Sequence, residues 1–383
     1  MIQRRSLLVG AASFGAASLI SPVIAHAAAE TDQRLLFVIQ RGAADGLALL
    51  APVGDPHLTA LREPLLKGYD AAPRIGSFFA LHPALGQVNA MAQSGEALFA
   101  HGVASAYRDR SHFDGQNLLE TGGLRAYERR DGWLNRLLGL LPTGETRGLA
   151  LSTTVPQALQ GPRPVGSYAP SALPDADGAL IDRVSALYAG DPQLSSLWQE
   201  ALQTRGMAGN VTLKNLRNAQ QTGALAASLM QGPKGARVMM VESEGWDSHA
   251  NQPGQLGRTV AALDALLGAV RSGLGADWNR TLVIVATEFG RTARVNGTGG
   301  TDHGTASAAM LLGGRVRGGR VLADWPGLAA SQLYQDRDLA PTIALESVIA
   351  GAVAEHFALD PAHTLATLFP ERKIAPREGL LRV

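Results

Sequence analysis

The sequence predicts an α/β protein: a mostly parallel sheet flanked by helices, with a helical insertion. Three observations carry this reading. Short apolar runs rich in β-branched residues, above all 35–39 (Leu-Leu-Phe-Val-Ile) and 282–286 (Leu-Val-Ile-Val-Ala), show none of the alternation of a half-exposed strand. Such runs read as strands buried on both faces, as inside parallel sheets. Between the runs 237–241 and 282–286, Leu256, Val260, Leu263, Leu267 and Val270 recur at helical spacing. Strand, helix, strand over that length is a βαβ unit, hence a parallel sheet. Lastly, the apolar runs stop abruptly in polar segments that hold most of the chemistry-bearing residues.

The chain opens on an address. Arg4 and Arg5 precede a mildly apolar, Gly/Ala-rich stretch, and Ala25-His26-Ala27 offers a small-x-small cleavage site. Paired arginines before a weak apolar segment resemble a twin-arginine export signal. Gly10, Gly15, Ser18, Ser21 and Pro22 make the stretch short and weak for a transmembrane anchor. The expectation is a signal over 1–27, handling by the twin-arginine translocase, a single α/β domain over 28–383, and a periplasmic or secreted location. Strands follow at 35–39 and 97–100, and a helix opens at Ser111. From 122 to 235, Pro- and Gly-rich stretches separate helical patterns over 179–203 and 211–231, which reads as an inserted helical cap. The last strands are 237–241, 282–286 and 308–312.

Composition removes several classes. The net charge is +1, and no basic stripe is interleaved with aromatics, so nucleic acid is not an expected partner. Cysteine is absent, which excludes thiolate metal ligands and cysteine nucleophiles. No apolar run after the signal is expected to span a bilayer.

In open parallel sheets, sites form beyond the carboxyl ends of the strands. Asp45, Ser111, the pair Asp247 and His249, and Glu288 all lie a few residues past such an end. They should therefore gather on one edge of one sheet. Asp45 before Gly46 also fits plain turn chemistry, and Ser111 with Asp114 three residues on also fits a helix cap. A helix N-terminus flanked by Arg108 and Arg110 equally suits a hydroxyl nucleophile facing a phosphate or sulfate. Asp247 and His249 are two apart, so on extended chain they project the same way. Oxygen and imidazole together suit zinc, manganese or iron. Asp302 and His303 are adjacent and reach one ion only if the backbone bends, which Gly299 and Gly300 permit. His57, His82, His101, His356 and His363 lack such company and read as surface or structural, and His112 is ambiguous.

The motifs Arg41-Gly-Ala-Ala-Asp-Gly-Leu, Ser111-His-Phe-Asp, Gly245-Trp-Asp-Ser-His, Thr287-Glu-Phe-Gly-Arg-Thr and Gly300-Thr-Asp-His-Gly-Thr resemble the exported bacterial domain-of-unknown-function family 1501. That family more distantly resembles the alkaline phosphatase and sulfatase superfamily. The resemblance implies that fold, a divalent metal (zinc, manganese, calcium or magnesium), and a small anionic ester as substrate. It implies Asp45 as a metal-binding Asp after the first strand, Ser111 as nucleophile, Asp247 and His249 as an Asp/His metal motif, and His303 as the final His. Where the superfamily has Asp-His after the central strand, this chain has Glu288 and Phe289, and phenylalanine cannot bind metal. The expected metal set is Asp45, Asp247, His249, Glu288, Asp302 and His303, with Ser111, Arg110 and Arg291 acting on the ester. Two function classes follow: a metal-dependent hydrolase of phosphate or sulfate esters, or a periplasmic binding or assembly protein that keeps the fold without turnover.

Overall fold

The computed structural model describes residues 31–142, 148–171, 176–208, 213 and 215–382. The export signal expected over 1–27 lies outside them. Nine strands form one sheet: β1 (Arg34–Gln40), β2 (Ala97–Ala104), β3 (Gly148–Leu151), β4 (Val165–Tyr168), β5 (Val238–Ser243), β6 (Thr281–Thr287), β7 (Ser307–Leu312), β8 (Arg320–Leu322) and β9 (Ile343–Ala344). The order across the sheet is β8-β2-β7-β6-β1-β5-β3-β4, with β9 beside β2. Only β7 runs against its neighbours, pairing antiparallel with β6 and β2. The sheet is therefore mostly parallel, as the buried apolar runs require.

The helices of eight residues or more are α1 (Gly86–Gln93), α2 (His112–Thr121), α3 (Trp133–Leu140), α4 (Gly178–Tyr188), α5 (Pro192–Ala208), α6 (Ala219–Met230), α7 (Gln252–Leu274), α8 (Leu345–Phe357) and α9 (Pro361–Leu368). Alternate residues of β1 serve two cores, because successive side chains on a strand point to opposite faces. Leu36 and Val38 pack in the core that holds α6, α7 and α1 side chains, whereas Leu35, Phe37 and Ile39 pack with α3, α8 and α9. The result is a three-layer α/β/α sandwich.

The helix read from Leu256, Val260, Leu263, Leu267 and Val270 is α7, and all five residues are buried. By length and composition alone α7 could cross a bilayer, against the expectation that no run would, yet that stripe packs on the sheet. Its flanking strands are parallel, as a βαβ unit demands, but β1 has inserted between them. The segment 122–235 carries α3 to α6 and also supplies β3 and β4 to the main sheet. Within it, α4 and α5 bury almost nothing: Ala208 is the one buried residue of the two.

Candidate metal centre

The registers put the carboxyl ends of β1, β5 and β6 side by side, with Gln40 opposite both Ser243 and Thr287. Val103, near the end of β2, is opposite Ser307 at the same edge. Segments 41–45, 105–111, 244–249 and 288–303 leave from this edge, so the expected gathering of separate sequence segments takes place. The 288–303 loop folds back on itself, with an isolated antiparallel bridge between Arg291 and His303. Two glycines permit the close approach. Gly42 has φ +116°, and a Cβ there would lie 2.6 Å from the Asp247 amide nitrogen. A Cβ on Gly300 would lie 2.3 Å from the His249 carbonyl carbon.

Three imidazoles converge on Asp247. His249 Nε2 is 3.0 Å from Asp247 Oδ1 and 3.0 Å from His303 Nε2. His303 Nε2 is 3.4 Å from the same carboxylate oxygen, and His112 Nε2 is 3.6 Å from Oδ2. Each ring is fixed from behind. His112 Nδ1 faces Glu288 Oε1 at 2.9 Å, His249 Nδ1 faces Asp302 Oδ1 at 3.2 Å, and His303 Nδ1 faces the Arg110 carbonyl at 2.9 Å. Carboxylates and carbonyls only accept, so each Nδ1 carries a proton, and any of these rings without a second proton offers its Nε2 lone pair to the centre. Two such lone pairs 3.0 Å apart, with a carboxylate oxygen beside them, repel unless a cation lies among them. His112 Nε2 is shielded from solvent and has no hydrogen-bond partner. Three imidazole nitrogens and one carboxylate, with oxygen acceptors behind the rings, are the donor set that a divalent ion takes. The residues fit the ion.

The electrostatics follow from these contacts. The Glu288 hydrogen bond holds His112 above the ordinary imidazole range, outweighing partial burial. Burial pulls His303 below that range, and the neighbouring His112 and Arg291 charges add to it. Burial would raise Asp247, but the Arg291 hydrogen bond and charge outweigh it and keep the carboxyl low. The cluster opens outward on one side, where Asp247 and His249 are nearly half exposed.

The other expected site residues stand around this centre rather than in it. Glu288 is 1% exposed, and its Oε1 accepts from the Gly42 and Ala43 amides, Gln116 and His112, while Thr287 donates to Oε2. Its contact with the centre runs through the His112 ring. Asp302 likewise sits behind His249 and takes a second hydrogen bond from Asn296. Asp45 is buried in an ion pair with Arg62 at 2.7 Å and accepts from Gln252, so a guanidinium already neutralises it. Arg291 is buried and donates to the carbonyls of Ala43, Thr301, Gly42 and Trp246 as well as to Asp247. Arg110 binds the buried Asp338 carboxylate through Nε and Nη2. Both arginines, expected to face substrate, are thus committed to protein acceptors. Phe289 is buried and stacks on His112 at 5.2 Å, forming an apolar wall. Ser111 is the N-cap of α2, yet its side chain makes no capping bond. His112, left ambiguous by sequence, is the residue the reading missed. It lies just past a strand end like the others, which was the available signal.

The sequence profile of a protein family of unknown function, DUF1501, matches residues 82–369. The chain belongs to the DUF1501 family. No curated protein matches it by sequence. Among solved structures, this DUF1501 member is similar to Ps i-CgsB in complex with k-i-k-neocarrahexaose, at 10% identity and a TM-score of 0.41, over 86% of this chain and 72% of that one. It is similar to alkaline phosphatase from the Antarctic bacterium TAB5, at 11% identity and 0.37, over 90% and 100%. A third is the phosphonate monoester hydrolase of Agrobacterium radiobacter, at 14% identity and 0.31, over 76% and 70%.

Proposed function

We propose that this DUF1501 member is a metal-dependent hydrolase of phosphate or sulfate esters that works outside the cytoplasm. The observation that carries the proposal is the set of three imidazoles, each held through Nδ1 by an oxygen, with their Nε2 atoms around Asp247. His112, His249, His303 and Asp247 would hold one divalent ion. Zinc, manganese, calcium or magnesium bound there would polarise an ester oxygen and favour attack on phosphorus or sulfur.

The chain supplies the rest. Ser111 precedes His112, and its hydroxyl makes no capping bond, so it is assigned as the attacking group. Its oxygen forms the new bond to phosphorus or sulfur as the bond to the ester oxygen breaks, the serine proton ending on the departing alcohol. Water then cleaves the serine ester, one of its protons returning to serine as the acid is released. Glu288 and Asp302 keep two of the rings in the required tautomer. Arg291 orients Asp247, and Arg110, through its carbonyl, orients His303.

The non-catalytic alternative draws on Asp45 and Phe289, since a guanidinium and an apolar ring occupy two expected metal positions. One experiment separates the readings. Protein purified without chelator is assayed for bound metal and screened with chromogenic phosphate and sulfate esters. Hydrolysis that vanishes in Ser111→Ala at unchanged metal content supports the hydrolase. A metal-loaded wild type that cleaves no ester leaves the binding protein. Export belongs to the same proposal: with Arg4 and Arg5 both replaced by lysine, precursor should accumulate in the cytoplasm, and normal periplasmic accumulation would refute that route.

A further inference from the structure

Among the described residues, seven large apolar side chains are well exposed, and they fall into two groups. Leu180, Leu187, Leu194 and Leu197 lie on α4 and α5, far along the chain from the metal centre's residues. Phe113, Leu124 and Tyr127 are the other group, and Phe113 directly follows His112 in the first turn of α2. Phe113 is 80% exposed and Tyr127 63%.

A hydrogen bond ties Tyr127 to α2, the helix that carries Phe113 and opens at Ser111. The Ser111 amide donates to the Tyr107 hydroxyl at 2.9 Å, and that hydroxyl lies 3.5 Å from Asp114 Oδ2. The Asp114 carboxylate also interacts electrostatically with the Tyr127 side chain. The Tyr127 amide donates to Asn117 Oδ1 at 2.8 Å, folding the 122–128 segment back onto α2. Tyr127 holds φ +64°, a conformation unfavourable for an aromatic residue, and its ring still faces solvent. Chain strain is thus combined with exposure of a ring beside the Ser111 end of the helix.

We infer that Phe113 and Tyr127 form a lip that receives the alcohol part of the ester, so that the substrates are esters of an alcohol with a flat or ring-shaped apolar face. The inference rests on the hydrolase reading of the adjacent site. The two side chains expose on the order of 300 Å² together, less than half of what one partner buries in a stable protein interface. That area suits a ring better than a second protein. A ring laid on Phe113 is gripped beyond its own burial, because aromatic faces attract in offset or edge-on arrangements.

Binding of phenylphosphonate and methylphosphonate to the zinc-loaded full chain tests the lip by calorimetry. Neither carbon–phosphorus bond is an ester, so the readout is independent of turnover. The phenyl compound should bind roughly three- to tenfold more tightly. Replacing both Phe113 and Tyr127 by alanine should bring the two affinities within about twofold, with bound zinc and methylphosphonate affinity unchanged, since both rings are exposed. Equal affinities in the wild type, a preference retained in the double variant, or no binding of either phosphonate overturns the lip. If esters are hydrolysed without that preference, the lip falls and the hydrolase stands. If the preference holds but no ester is cleaved, the hydrolase reading falls and the lip remains as the ligand seat of a binding protein.

Discussion

Replacing Glu288 by glutamine isolates the support behind the metal centre from the centre itself. The substitution preserves shape. Its carbonyl oxygen can stay at the hub and keep the Gly42, Ala43, Gln116 and His112 donors. Its amide NH2 then faces Thr287 Oγ1, which can accept it while donating to the Gln40 carbonyl at 2.8 Å. What is lost is the negative charge behind His112, and with it the charge-assisted bond that makes Nε2 a better donor. Mutating the group behind a ligating histidine weakens metal binding by about 10- to 100-fold, or about 1.4–2.7 kcal/mol, and loss of charge alone should fall at the lower end. The fold should survive, since weakening one charged hydrogen-bond hub costs about 1–3 kcal/mol against a total of about 5–15. Competition between the protein and a chromogenic chelator for zinc reads the affinity directly, with circular dichroism reporting the fold. Asp302→Asn should show a smaller loss, because Asp302 is half exposed and its contact to His249 is longer at 3.2 Å. His303→Ala should lose stoichiometric binding altogether. Wild-type zinc affinity in Glu288→Gln, alongside loss in His303→Ala, would show that the charge behind His112 does not support the centre.

Three further outcomes are expected. Zinc affinity should fall as pH is lowered, because Glu288 holds His112 above the ordinary imidazole range and protons compete there first; in Glu288→Gln the fall should move to lower pH, and an unmoved profile would contradict this. Acid should also destabilise the fold: burial lowers His101 to about 4 and His356 to about 3, against about 6.5 unfolded. The unfolded chain then binds more protons below about pH 6.5, so stability is complete above that pH and is lost as pH falls, by about 2 kcal/mol per ring at pH 5. Urea midpoints at pH 7.5 and pH 5 measure it, and because burial also lowers His82 to about 4, His356→Gln should remove about a third of the difference; no difference in the wild type would exclude neutral buried rings. Gly300→Ala should displace the His249 backbone, since the new Cβ would sit 2.3 Å from its carbonyl carbon, and zinc affinity should drop by at least about tenfold. Intact affinity in that variant would show that the loop yields freely.

Much of the site was legible because strand ends are. A buried apolar run ends where polar residues begin, and parallel strands bring their carboxyl ends together, so Asp45, Ser111, Asp247, His249 and Glu288 read as one edge from sequence. The partners were not legible. Arg62 lies 17 residues past Asp45, with nothing local to show that its guanidinium turns inward to that carboxylate. Whether Asp302 or His303 faces the centre depends on how one loop bends, and adjacency in sequence cannot distinguish a ligand from the group behind a ligand. His112 was masked by its position inside a helix start that capping explained equally well. The strands β3 (Gly-Leu-Ala-Leu) and β4 (Val-Gly-Ser-Tyr) are too short and weakly apolar to signal a sheet, so 122–235 read as helical throughout.

The reversed direction of β7 has a mechanical consequence. Because β7 pairs antiparallel with β6, the segment joining them leaves the sheet and re-enters it at the same edge, one strand spacing away. A strap buckled at both ends has little travel, and here it carries Glu288 and His303 together. Hinged closure over a substrate is not available on that bank. Any widening or narrowing of the opening has to come from across the gap, where the start of α2 and the 122–128 segment stand outside that strap.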